Sequence, residues 1–349
     1  MAMQSIKARF NRFGAAVRQR LPSNRLARGV VVGFVVVLVV LIGLGIYWSI
    51  EPREFDVVHA AEQHARAHDR ELVVGYTTTH TLHMLVDTLL TKPGGYLSND
   101  VTPPSWWLDN MPNWEFGVLV QVRDLARAMR RDLSRSQSQS AEDPDLSRAE
   151  PLFHFDNNSW ILPASEREYR RGADLVESYL LRLSDPDNTQ AQFYARADNL
   201  RNWLSDAETR MGSLSQRLSA SVGDQRVNVD LASDPAARQS TPTAVERYTK
   251  TPFFEVDDIF YEARGSAWAL LHIMRAIEHD FGAILDNRNA RPSVQQIIRE
   301  LEATQRPMRA PFVMNGSGYG VFANHSLVMA NYISRANAAI SDLRELLGT

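Results

Sequence analysis

A run of 22 residues without a single charge, Gly29 to Ile50 (GVVVGFVVVLVVLIGLGIYWSI), constrains this chain more than any other stretch. At about 1.5 Å per residue a helix of that length spans roughly 33 Å, enough to cross a hydrocarbon core of about 30 Å. Valine is a poor helix former in water, but in lipid a helix is the only way to satisfy the backbone of a single span. A cleaved signal peptide fits poorly, because the run is too long and IYWSIEPREF offers no small-x-small cleavage site. A core helix fits poorly too, since such helices are rarely apolar all round. The expectation is a retained transmembrane helix over 29–50.

The flanks orient it. Residues 1–28 carry Lys7, Arg9, Arg12, Arg18, Arg20, Arg25 and Arg28 and no acid, whereas the exit side opens with Glu51, Glu54 and Asp56. The positive-inside rule then places the N-terminus in the cytoplasm and residues 51–349 across the membrane. Tyr47 and Trp48 fall where an interfacial aromatic pair anchors the outer end. Within the basic tail, Ile6, Phe10, Phe13, Val17 and Leu21 recur at helical spacing, so 1–28 reads either as an amphipathic segment on the leaflet or as a purely topogenic tail. Gly29 and Gly33 form a small-xxx-small pair through which two copies of the helix could approach closely as a homodimer.

Beyond the run, composition narrows the choices. Seven of the 38 Lys and Arg precede it, which leaves 31 against 41 Asp and Glu, a net of −10 for the remainder. That balance excludes a nucleic-acid binder, which needs a basic face. There is no cysteine, so neither disulfides nor thiolate metal sites occur and stability rests on packing.

Helical periodicity dominates the rest. Apolar residues step four and three apart in six seams, among them Val118–Val122–Leu125–Met129, Leu200–Leu204–Ala207–Met211–Leu214–Leu218 and Phe260–Ala263–Ala267–Leu270–Met274–Ile277. Helices are expected over about 57–68, 77–91, 114–133, 165–183, 189–222, 255–285, 293–305 and 323–347, with a capping box at Ser165 and Glu168 opening the fourth. A hairpin about Asn157-Asn158, a short strand at VNVDL and a Gly-rich turn at 315–320 punctuate them. The fold class is all-α: one N-terminal transmembrane helix (29–50) followed by a multi-helix bundle with long loops in a single domain, 51–349.

No catalytic set converges. His80, His83 and Asp87 share a helix face as candidate metal ligands, but they stand about 100–160° round from the apolar stripe, and a solvated polar face accounts for them. The same reading covers His59, His64 and His68, and the stripe Asp258–Glu262–His272–His279, whose spacing is wrong for inward Glu-x-x-His pairs. No metal is favoured and no cofactor is expected. The loop through 96–114, with Tyr96, Trp106, Trp107 and Trp114, is the most suggestive surface: buried it plugs the bundle, exposed it contacts a partner, lipid or glycan.

The segments TKPGGYLSNDVTPP, LDNMPNWEFGVLVQVRDLARAMRRDLSRSQSQSAEDPDL, AQFYARADNLRNWL and GSLSQRLSASVG resemble the bacterial domain of unknown function 2333 family over roughly 50–347. The resemblance implies a bacterial inner-membrane setting with 51–349 periplasmic. It implies no activity and transfers no functional residues. The leading functional expectation is a non-catalytic envelope scaffold or adaptor with the lipid bilayer and other envelope proteins as partners. The alternative is an enzyme or binding protein for a cell-wall or lipid ligand, using the 96–114 loop with Asp258, Glu262 and the histidines of 255–285.

Overall fold

The computed structural model describes residues 24–135, 141–188, 190–227, 246–308, 310 and 312–348. Among them eleven α-helices appear in chain order: α1 Arg25–Trp48, α2 Val57–Ala67, α3 Tyr76–Thr91, α4 Asn110–Ala128, α5 Pro144–Phe153, α6 Ser165–Leu183, α7 Ala197–Ser219, α8 Val256–Asp280, α9 Gly282–Asn287, α10 Arg291–Thr304 and α11 His325–Gly348. The single sheet among the described residues is a four-residue antiparallel ladder, β1 Asp224–Val227 with β2 Glu246–Thr249. The all-α expectation holds. Most of VNVDL and the periodic positions of the N-terminal tail lie outside the described residues.

α1 is long and apolar enough to cross a membrane, and almost none of it is buried. Asn24 caps it, its side chain accepting from the Leu26 N–H. Its last turn is different. Gly45 is buried against Pro104 and Leu108, and Trp48 packs on the core beside Gly94.

α8 is the axis of the bundle. Its expected seam, from Val256 through Phe281, is wholly buried. The face opposite that seam is covered as well: the chain leaving α1 runs along it, placing Phe55 on Trp268 and His272. His272 is therefore a core residue rather than part of a solvated face. Its Nδ1–H donates to the Trp268 carbonyl and its Nε2 accepts from the Phe55 N–H, which specifies one neutral tautomer. Burial lowers its pKa to about 4.

α4 lies on α8 in the most extensive helix pairing of the bundle. The two run parallel: Asn113 bonds Asp258, and two turns on Gln121 bonds Ser266 at the same offset. Gly117 and Gly265 make this approach possible, because a Cβ at either would overlap the backbone of the other helix. α3 runs antiparallel to α8, with Thr78 N–H and hydroxyl both donating to Asp280 at 2.7 Å. α7 and α11 pair along their lengths and close the far side.

Three local expectations fail for physical reasons. The helix expected from 189 begins only at Ala197, because Phe193 fills the space over Gly75, whose φ of +90° starts α3. No hairpin forms at Asn157-Asn158. α5 continues to Phe153, and Asp156 then accepts from the Asn158 N–H in an Asx-turn. The capping box is absent, since Ala164 is the N-cap of α6 and the Ser165 hydroxyl instead donates back to the Asp156 carbonyl at 2.6 Å.

Gly265→Ala is expected to destabilise the fold by about 1–3 kcal/mol, the scale of overpacking, despite alanine's better helix propensity. Denaturant unfolding of the purified chain measures it, and an unchanged midpoint would contradict the close crossing.

Candidate functional site

Every long helix has one end near the last turn of α1 and one end far from it. The α1 end collects the N-termini of α4, α6, α8 and α11 and the C-termini of α3, α7 and α10, with the loops that join them. The contacts that place them are Trp48 at Gly94, Asn99 on Glu166, Asn113 on Asp258, His325 near Phe260, Asn315 on the Ser221 carbonyl, and Arg264 on the Thr304 carbonyl.

The loop from Lys92 to Asp109 is held from inside by a buried ion pair. Lys92 Nζ stands 2.6 Å from Glu115 Oε1, and the two side chains are 1 % and 0 % exposed. The Glu115 carboxylate also accepts from the N–H of Leu97 and of Ser98, at 2.8 Å each, and from the Ser98 hydroxyl. Lys92 additionally donates to the Gly95 carbonyl. Burial pushes the Glu115 carboxyl up, against the opposing pull of Lys92. Buried charges persist only when paired and hydrogen-bonded to this degree.

That framework divides the expected aromatic site in two. Tyr96 (4 % exposed) and Trp114 (0 %) are core: Tyr96 meets Tyr169 edge-on and donates to the Asn157 carbonyl, and Trp114 packs on Trp268. Trp106 (72 %) and Trp107 (53 %) project outward from a 3₁₀ turn, Ser105–Trp107, whose neighbours Pro104 and Leu108 touch Gly45. The surface reading therefore fails for Tyr96 and Trp114, the latter because it lies one turn before Val118 and continues the buried seam of α4. The outward pair precedes the helix and belongs to no period.

Sequence reasoning missed how many other exposed apolar side chains share this end. Trp160, Ile161 and Leu162 project from the loop before α6, which Asn99 and Tyr96 tie to the same framework. Phe253 and Phe254 project at the start of α8, and Phe312, Tyr319 and Phe322 from the loop before α11. The far end shows only Leu72 and Val74 among the large exposed apolar residues of the described loops.

Asp258 and Glu262 do not converge on a ligand. Glu262 pairs with Arg217. Asp258 accepts from Asn113 Nδ2 at 2.7 Å, and its pKa is raised to about 6 by burial and by Asp109, Asp257 and Glu255. A cavity of about 320 Å³ does open between α8, α10 and α11, lined by Phe260, Arg264, Met308, His325, Met329 and Tyr332. Neither acid nor any loop tryptophan lines it. Within it, burial lowers His325.

The candidate metal face on α3 is rearranged as well. His80 is buried rather than solvated, packed against His64 of α2 with ring centroids 4.6 Å apart and the rings tilted by 37°. Asp87 is engaged within α3 instead: the Thr91 hydroxyl, one turn further on, donates to its carbonyl oxygen at 2.8 Å and lies 3.5 Å from its carboxylate Oδ2.

These features define a class: a helical-bundle protein with one N-terminal helix long and apolar enough to cross a membrane, and with an aromatic-studded end beside that helix. The chain belongs to the family described as uncharacterized protein conserved in bacteria (DUF2333), whose model matches residues 22–349. No curated protein and no solved structure matches it.

The raised Asp258 makes a pH prediction. Its folded pKa of about 6 exceeds the ordinary 3.8, so the stability tied to its proton is full below about pH 4 and lost as pH rises through 6. Asp258→Asn, which still accepts from Asn113, is expected to raise Tm by about 1–2 °C at pH 7.5 and to give no advantage at pH 4. Thermal unfolding at the two pH values checks it.

Proposed function

We propose that this chain is an uncleaved single-pass protein of the bacterial inner membrane, N-terminus in the cytoplasm, whose residues 51–349 form a non-catalytic periplasmic scaffold seated on the membrane surface. The observation that carries the reading is the gathering of outward-facing Trp106, Trp107, Trp160, Ile161, Phe253 and Phe254 at the α1 end. If Gly29–Ile50 crosses the bilayer, Gly45 lies about 7 Å inside the exit point, within the interfacial layer. The turn that touches Gly45 then sits at that same depth, which is where tryptophan is enriched.

The seating of Gly45 and Trp48 on the folded domain favours a retained helix over a removed leader, because cleavage would strip the domain of packed contacts. The seven basic residues preceding Gly29 support the orientation. Held against the surface at one end, the bundle presents its flanks and far end to other envelope proteins. Gly29 and Gly33 have no neighbour within 4 Å and offer a side-chain-free strip for a second copy. Membrane-embedded Gly33→Cys is expected to crosslink to a dimer under oxidation, and a monomer throughout would remove the dimer from the proposal.

Because the chain has no cysteine, single-cysteine spin labels report cleanly. In nanodiscs, labels at Trp107→Cys, Ile161→Cys and Phe254→Cys are expected to collide with oxygen as lipid-exposed groups do, while a label at Val74→Cys stays aqueous. Aqueous behaviour at all four positions would sink the membrane-seated reading. A reporter active only outside the cytoplasm, fused after Thr349, must be active if the orientation is right.

A further inference from the structure

At the far end, α2 and α3 fold back on each other about the Gly75 turn and bring four histidines together. Ring centroids run His68 to His64 at 4.3 Å, His64 to His80 at 4.6 Å and His80 to His83 at 6.4 Å. α6 adds Glu177, whose Oε1 lies 2.9 Å from His64 Nε2. One ligand atom each of His64, His68 and Glu177 lie within 4.8 Å of one another.

We propose that His64, His68 and Glu177 form a binding site for a divalent transition-metal ion of the zinc class. His64 and His68 stand at i and i+4, so both rings leave α2 on one face. In each, Nδ1 is already engaged: that of His64 with the Tyr76 hydroxyl at 2.8 Å, that of His68 with the His64 carbonyl at 3.0 Å. Metal-bound histidines are held this way, with the other ring nitrogen fixed by an outer partner so that Nε2 offers its lone pair. The Tyr76 hydroxyl can accept as well as donate, so His64 can pass from its Nε2–H···Glu177 bond to a metal-bound tautomer without losing that partner.

The surroundings suit a cation. Glu177 Oε2, His80 Nδ1 and His83 Nδ1 are all buried with no hydrogen-bond partner, and His80 is 97 % buried by its 3 % exposure. A buried carboxylate oxygen left without a partner is costly, and a cation bound by Glu177 would offset that cost. Ligands of tetrahedral zinc at 2.0–2.2 Å stand about 3.4 Å apart. The exposed His68 side chain is free to close the remaining ångström or so. Two imidazoles and a carboxylate select borderline divalent ions over Mg²⁺ or Ca²⁺, and three protein ligands leave a position open for water.

The test uses the full chain without a polyhistidine tag, in detergent, titrated with Co²⁺ and then Zn²⁺. Expected are saturable visible d–d absorption at one Co²⁺ per chain, displacement by Zn²⁺ but not Mg²⁺, and a Zn²⁺-dependent rise in Tm. His68→Ala, at an exposed position that leaves the core intact, and Glu177→Gln are each expected to weaken binding at least tenfold, while His59→Ala and Asp87→Ala leave it unchanged. The proposal is overturned if the folded parent shows no saturable binding, if His68→Ala and Glu177→Gln bind as tightly as the parent, or if His59→Ala loses binding equally.

Discussion

The buried pair of Lys92 and Glu115 is the constraint on which the α1 end depends. An unpaired ammonium or carboxylate in that position would cost several kcal/mol, and removing one partner of such a pair typically costs about 3–5 kcal/mol. The charges persist because together they satisfy a turn of backbone, the N–H groups of Leu97 and Ser98 and the carbonyl of Gly95, that no regular element could accommodate. The pair thereby converts the stop after α3 into a rigid support. Trp48 rests on Gly94, at the edge of that support. The outward tryptophans extend from its other side.

α8 transmits the same order through the bundle. It is buried on nearly every side, so polar groups along it are settled individually: Arg264 donates to the carbonyls of Thr304, Gln305 and Arg306 and pairs with Glu51, and Ser266 accepts from Gln121. These bonds join the first residues after α1 to the C-terminal helices. The polypeptide leaving α1 is stitched along the core rather than tethered to it by a loose linker.

Much of this was legible in the sequence, for a physical reason. A helix seam repeats locally, so Val118–Val122–Leu125 or Met329–Ile333–Ala336 announces its own burial. What was not legible depends on residues distant in the chain. His272 looked solvated because its covering segment, Phe55, lies 217 residues earlier. His64 looked solvated because its partner, Glu177, belongs to another helix, whereas His68 is exposed as expected. Trp106 and Trp107 carried no periodic signal, so only the buried framework beneath them shows that they point outward. The capping motif at Ser165 failed since the preceding loop offered its hydroxyl a nearer acceptor.

The parallel pairing of α4 and α8 has a consequence for how the molecule is made. Parallel neighbours cannot be joined by a tight turn, and here partners such as Gln121 and Ser266 stand 145 residues apart. At about 5–20 residues per second, a ribosome delivers the second helix roughly seven to thirty seconds after the first. Throughout that interval Trp114, Gly117 and Val118 have no permanent cover. The nascent chain must either be shielded by other factors or protect that face with α3 and α5, which are already synthesised. Such a sequence-distant nucleus is slow to close, and the early half of the chain is where misassembly would begin.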